Sequence, residues 1–130
     1  MSYASSHTYE TLYLLRPGIS ESDANAIHQK VDNVIQKFSG KLRTRDDWGV
    51  KELAYTIEKE RNARFCLAVY EGAGGVVEEI ERHFRISDDV VRYLTVAMPT
   101  DYDYNKVKKQ MHASEEEVMQ NRESRMKKGL

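Results

Sequence analysis

Apolar and polar positions along the chain fall into separate blocks. Tyr9–Leu15 (YETLYLL) is dense in aromatic and branched residues and ends just before Pro17-Gly18, which predicts a strand. Its apolar groups fall on both alternating faces, as suits a strand near the middle of a sheet. Ser20-Glu21-Ser22-Asp23 then has the form of a helix start with an acidic first turn. Ser20 is the cap and Asp23 a shortened capping-box partner. Ala24, Ile27, Val31, Val34, Ile35 and Phe38 follow at three- and four-residue steps and mark one buried helix face. Gly40 suits the left-handed residue that ends such a helix.

Residues 41–58 predict a second strand, bent near Asp47–Gly49, and residues 63–70 (ARFCLAVY) a third. The polar run Glu58 to Asn62 is the expected hairpin connection between them. Gly72-Ala73-Gly74-Gly75 opens a second helix with a buried stripe of Val76 or Val77, Ile80 and Phe84. Val90–Met98 (VVRYLTVAM) predicts a final strand, closed by Pro99. The order is β-α-β-β-α-β with the helices as crossovers. Right-handed crossovers give an α+β, ferredoxin-like sandwich: a four-stranded antiparallel sheet with two helices on one face. Its strand order, 4-1-3-2, puts the second strand at an edge.

Residues 1–100 make this domain. Residues 101–130 differ in kind, because leucine, isoleucine and phenylalanine are absent until Leu130 while charges are dense. Ser114 and Glu115 to Glu117 precede Arg122, Arg125, Lys127 and Lys128, an order that suits a helix dipole. Val118, Met119 and Met126 are too few to anchor it, so this C-terminal extension is expected to be flexible alone or partly helical on a partner.

Composition narrows the function classes. The chain has 130 residues with 40% hydrophobic and 32% charged, enough for one modest core under a heavily solvated surface. The single cysteine, Cys66, excludes an intramolecular disulfide framework and fits a reducing cytoplasm. The first ten residues lack the basic and apolar regions of a secretory signal, and no apolar run approaches the roughly 20 residues needed to span a bilayer. No membrane partner is expected. A net charge of −1 argues against simple nucleic-acid binding by bulk charge.

No enzyme emerges from the candidate chemistry. The GAGG cluster before a helix has a phosphate-loop flavour, but it lacks the Lys-Ser/Thr ending and the GxGxxG spacing, so a turn is the simpler reading. His7, His28, His83 and His112 show no ligand spacing, so no metal, cofactor or small-molecule substrate is implied. Cys66 reads as a small buried strand residue, and Glu78, Glu79 and Glu81 as the wet face of a helix. The strand Arg64–Tyr70 loosely echoes an RNA-recognition motif without its two glycines. Phe65 and Tyr70 are then better read as core than as base-stacking platforms.

Several pieces, taken together, resemble a family. They are Tyr9-Glu10-Thr11, Leu15-Arg16-Pro17, Asp47-Trp48-Gly49, Leu53-Ala54-Tyr55, and the block Phe84-Arg85-Ile86-Ser87-Asp88-Asp89-Val90-Val91-Arg92-Tyr93. In order and spacing, over residues 7–98, they resemble ribosomal protein six of the bacterial small subunit. One departure is Thr56, where the family usually has proline; it restores a backbone donor and keeps strand propensity.

The resemblance implies a non-catalytic component of the small ribosomal subunit in the cytoplasm. It further implies binding of small-subunit ribosomal RNA at the central domain, the platform, together with small-subunit ribosomal protein eighteen. Candidate phosphate contacts are Arg43, Arg45, Lys51, Lys59, Arg61, Arg64, Arg85 and Arg92, with Arg92 equally suited to pairing with nearby carboxylates. The edge strand is the candidate partner surface. Asp46, Asp47, Lys51 and Glu52 bracket Trp48 and Val50 there, blocking unwanted strand pairing. Trp48 is either a lid on the end of the core or an anchor for the partner. Leu53, Ala54 and Tyr55 are expected to hold the strand to the sheet. The alternative is a ferredoxin-like regulatory module that binds a small ligand as a dimer; it requires a ligand loop and a symmetric surface, and neither is evident.

Overall fold

Among residues 7–98, the span that this computed structural model describes, the chain runs β1 (His7–Leu15), α1 (Glu21–Lys37), β2 (Lys41–Ile57), β3 (Glu60–Gly72), α2 (Val76–Ile86) and β4 (Val90–Met98). The expectations for residues 101–130 lie outside the described residues. The sheet order is β2-β3-β1-β4 and every pairing is antiparallel, so the predicted order 4-1-3-2 holds with β2 at an edge.

α1 starts where the sequence placed it. Ser20 is extended, and its Oγ accepts the Asp23 backbone N–H at 3.0 Å, satisfying one of the donors left over at a helix start. The helix end differs from the expectation. The left-handed residue is Ser39, with φ +56°, and not Gly40. Gly40 serves a close approach instead: a Cβ there would lie 2.0 Å from the carbonyl oxygen of Glu71. Gly40 also donates its N–H to the Ile35 carbonyl at 2.8 Å, so the chain turns into β2 against the backbone of β3.

β1 is one of the two inner strands and feeds two apolar layers. Tyr13 and Leu15 point to the helices, where they pack with Ala24, Ile27, Val31, Val34 and Ile35 of α1 and with Val76, Ile80 and Phe84 of α2. Val76, rather than Val77, is the fully buried member of the α2 stripe. Leu12 and Leu14 point the other way and join Phe65, Leu67 and Val69 of β3 in a second cluster, to which β2 adds Leu53 and Ile57. The period of two along β1 and β3 explains both layers, since successive side chains leave opposite faces.

Polar groups buried on the helix side find partners. Thr11 Oγ1 lies 2.8 Å from both the Tyr70 and Thr95 hydroxyls, a chain that links β3, β1 and β4. The Tyr13 hydroxyl meets His28 Nδ1 at 2.7 Å, and its ring stacks on Phe84 with centroids 5.0 Å apart.

The β2–β3 turn starts where the sequence placed it and ends earlier. The strands close to within two residues, so the connection is Glu58-Lys59 and not Glu58 to Asn62. Both residues are left-handed, with φ of 49° and 70°, the geometry that two-residue hairpins require. The bend near Asp47–Gly49 is present as a register shift. Gly49 has φ +76°, and its N–H donates to Asp47 Oδ1 at 2.9 Å. Beyond Glu52 the pairing lapses until Ile57. Leu53 is the one residue of Leu53-Ala54-Tyr55 that is buried; Ala54 and Tyr55, consecutive and so on opposite faces, are both exposed in the stretch where regular pairing with β3 lapses.

Candidate partner and nucleic-acid surfaces

The candidate cations fall into distinct environments set by which face of the sheet each strand residue leaves. Arg45 leaves β2 toward the helices. Its guanidinium grips both oxygens of Asp32, at 2.8 and 3.1 Å, and its Nε reaches the Tyr13 hydroxyl at 3.4 Å. Burial works against its charge, but the Asp32 hydrogen bonds win and hold its proton more tightly than usual. The same burial, with Arg45 next, pushes the neighbouring His28 below its ordinary pKa.

Arg64 leaves β3 on the same side and bridges two acids. Nε donates to Asp47 at 2.9 Å and Nη1 to Glu21 at 2.9 Å, and its side chain is only 13% exposed. For Asp47, burial raises the pKa, but the Arg64 hydrogen bond and the Gly49 N–H outweigh it and hold the carboxyl below its usual range. Arg43 pairs with Glu71 across the β2–β3 ladder. These three arginines thus carry intramolecular ion pairs that help set the register of the edge strand.

Lys51 occupies the other face. Its Nζ lies 5.0 Å from the Trp48 ring centroid and 5.8 Å from that of Phe65, and the two rings stack at 6.2 Å with planes 17° apart. Trp48 therefore packs on the second apolar cluster while remaining partly accessible. Of the remaining edge candidates, Val50 is 54% exposed, Glu52 is exposed, and Asp46 sits half-buried opposite Leu67.

Lys59, Arg61, Arg85 and Arg92 come from the turn between β2 and β3, the start of β3, the end of α2 and the start of β4. Lys59, Arg61 and Arg85 are exposed, and Arg92 is half-buried. Arg85 and Arg92 line one groove, together with Arg16, which the Leu15-Arg16-Pro17 piece of the resemblance contains but the candidate cations omit. Arg16 follows β1 directly. Its place in the groove depends on neighbours from turns far along the chain, which that local motif does not give.

A second omission is Glu10. It is 1% exposed on the sheet face opposite the helices, and its Oε1 has no hydrogen-bond partner among the described residues. Burial, with the charge of Asp46 second, pushes its pKa up to about 7. The acidic residue amid an apolar strand was visible in YETLYLL, but not its depth.

Phe65 and Tyr70 are fully buried, which leaves neither ring open to a stacked base. Cys66 is buried as expected, and burial, with Asp47 next, pushes its thiol up to about 12, far from a reactive thiolate. Among the described residues no three of His, Cys, Asp or Glu group as metal ligands.

The model of the family described as Ribosomal protein S6 matches residues 8–97. A relative from Citrifermentans bemidjiense, the small ribosomal subunit protein bS6, is 34% identical over 96 residues, covering 74% of this chain and 72% of its own length. The protein of the same name from Pelobacter propionicus is 32% identical over 116 residues, covering 89% of this chain and 90% of its own. Among solved structures, the crystal structure of 30S ribosomal protein S6 from Thermotoga maritima superimposes with a TM-score of 0.66 over 84% of this chain and 98% of its own, at 20% identity, a likeness of fold.

Proposed function

The chain belongs to the ribosomal protein S6 family, and from that membership we propose that it binds small-subunit ribosomal RNA at the central domain, jointly with small-subunit ribosomal protein eighteen. Its role is structural, holding RNA in an assembled form, and its place is the ribosome in the cytoplasm. The observation that carries the reading is the family match across the whole described domain.

Charge and geometry support the joint mode. With a net charge of −1, the chain supplies little phosphate neutralisation alone, and a basic partner protein makes up the difference. Arg43, Arg45 and Arg64 already hold internal carboxylates that compete with phosphate, whereas Lys59, Arg61 and Arg85 stand exposed. Lys51 and Arg92 complete the candidate set. The β2 edge is the partner surface: Val50 and Trp48 supply apolar contact, while Asp46, Asp47, Lys51 and Glu52 set its polarity. An edge strand with bulges and charges resists self-pairing and leaves room for one specific neighbour.

Reconstitution tests this. The full chain, protein eighteen and a central-domain RNA fragment are mixed singly and together, and binding is followed by gel shift. The expected result is a protein pair that binds RNA far more tightly than either member. RNA binding by this chain that gains nothing from protein eighteen, or no complex at all, overturns the reading. Trp48→Ala, checked for folding, then reports whether the indole belongs to the contact.

A further inference from the structure

The end of the sheet holds a groove of about 540 Å³ that no candidate set above describes as a unit. Three arginines line it from three separate segments: Arg16 after β1, Arg85 at the end of α2, and Arg92 in β4. We infer that this groove is a phosphodiester-binding cradle for an RNA strand, with Arg16 as its third guanidinium. The inference rests on the ribosomal RNA reading above and deepens it by naming the surface.

The groove is built and held. Arg16 Nε donates to the Asp88 carbonyl, its Nη1 lies 3.4 Å from Glu60 Oε2, and its backbone N–H donates to the Asp89 carbonyl at 3.0 Å. One residue thereby ties the α2–β4 loop and the β2–β3 hairpin to the end of β1. The loop is further fixed by the Asp89 N–H donating to Ser87 Oγ at 3.2 Å. These bonds keep the Arg16 guanidinium and the loop backbone in place before a ligand arrives, which reduces the ordering cost of binding.

The residue type favours phosphate. All three cations are arginines, whose planar forks match phosphate oxygens in pairs, and Arg16 keeps about a third of its side chain open (36%). Glu58 and Asp88 also line the groove and Glu60 pairs with Arg16, so formal charges there balance. Geometry more than net charge therefore suits it to an anion, and an acidic protein segment, with carboxylates spaced by its own backbone, is the weaker fit.

The test uses the full chain with protein eighteen and a central-domain RNA fragment, titrated at several salt concentrations. Arg16→Gln and Arg85→Gln are each expected to weaken binding and to make the salt slope shallower by about one, the signature of one lost phosphate contact. Arg16→Lys keeps the charge and is expected to keep the slope. Arg82→Gln, elsewhere on α2, is the control and is expected to change neither. Arg85 is exposed at a helix end, so its variant folds even where loss of Arg16 loosens the loop. Wild-type slopes in both glutamine variants, with RNA still bound, overturn the groove and leave the broader reading standing. Loss of pairing with protein eighteen at an unchanged RNA slope assigns the groove to a protein contact and also overturns it. Failure of the wild-type pair to bind RNA removes both readings.

Discussion

Glu10→Gln should stabilise the protein at alkaline pH and leave it almost unchanged in acid. The carboxyl sits 1% exposed among apolar neighbours of β3 and β4, with Asp46 as the nearest like charge. Folding moves its pKa from 4.5 to about 7. Because the folded pKa is the higher one, the native chain binds more protons than the unfolded chain between those values, and stability falls as pH rises through that window. At about 1.4 kcal/mol per pH unit, the full effect is a destabilisation of ~3 kcal/mol above pH 7. Glutamine keeps the size of the side chain and removes the charge. Urea unfolding of both proteins from pH 4.5 to 8 measures it, and the quantity to plot is the difference in unfolding free energy. That subtraction matters because His28, whose pKa is lowered in the fold, contributes a slope of opposite sign below its ordinary value of 6.5, equally in both proteins. A difference curve that rises toward ~3 kcal/mol at pH 8 supports the argument. A flat curve across pH 5–8 refutes it, since a buried, unpartnered carboxylate cannot ionise at no cost.

Three further substitutions probe the frame around the site. Lys59→Gly relieves a left-handed lysine in the hairpin turn and should stabilise by ~1 kcal/mol, seen as a melting temperature raised by several degrees. Gly40→Ala places a methyl group 2.0 Å from the Glu71 carbonyl oxygen, so a loss of roughly 3 kcal/mol is expected in chemical unfolding, at the upper end for overpacking because backbone cannot move aside. Arg45→Met removes the paired hydrogen bonds to Asp32 and the contact with Tyr13 and should cost ~1–2 kcal/mol, less in high salt; an unchanged midpoint would show that the pair contributes nothing.

The sandwich was legible in the sequence because its signals are local. Stripes of period 3.6, a serine three residues before the N–H it caps, and strands of branched and aromatic residues each act within a turn or a strand. What local signals misread was the backbone's use of particular residues. Gly40 looked like a helix terminator, but the constraint on it comes from Glu71, a strand away. Glu58-Lys59 looked like the start of a longer polar loop, because neither residue advertises a left-handed conformation. The apolar look of Leu53-Ala54-Tyr55 suggested a firmly paired strand, yet an edge strand has one neighbour, and where that ladder lapses only Leu53 finds cover.

The contacts that the candidate cations make within the fold were illegible in the sequence, for a physical reason. Cations on a sheet are sorted by the face they leave and the acids they meet, and both depend on register. Asp32, Glu21 and Glu71, which engage Arg45, Arg64 and Arg43, come from a different element than the arginine each one meets, so no spacing along a strand announces them. The same logic brings Arg16, Arg85 and Arg92 to one groove from segments that the chain keeps far apart. Trp48 shows the limit of a choice between lid and anchor. Stacked on Phe65 and capped by Lys51, it contributes to the second apolar cluster and still leaves surface for a neighbour. An indole at the rim of an edge strand can therefore do both. Its replacement by alanine should lower stability by ~1–3 kcal/mol, below the loss expected for a fully buried tryptophan, and in the reconstitution proposed above any loss of pairing beyond that would measure a contact. Stability unchanged by the substitution would remove Trp48 from the core.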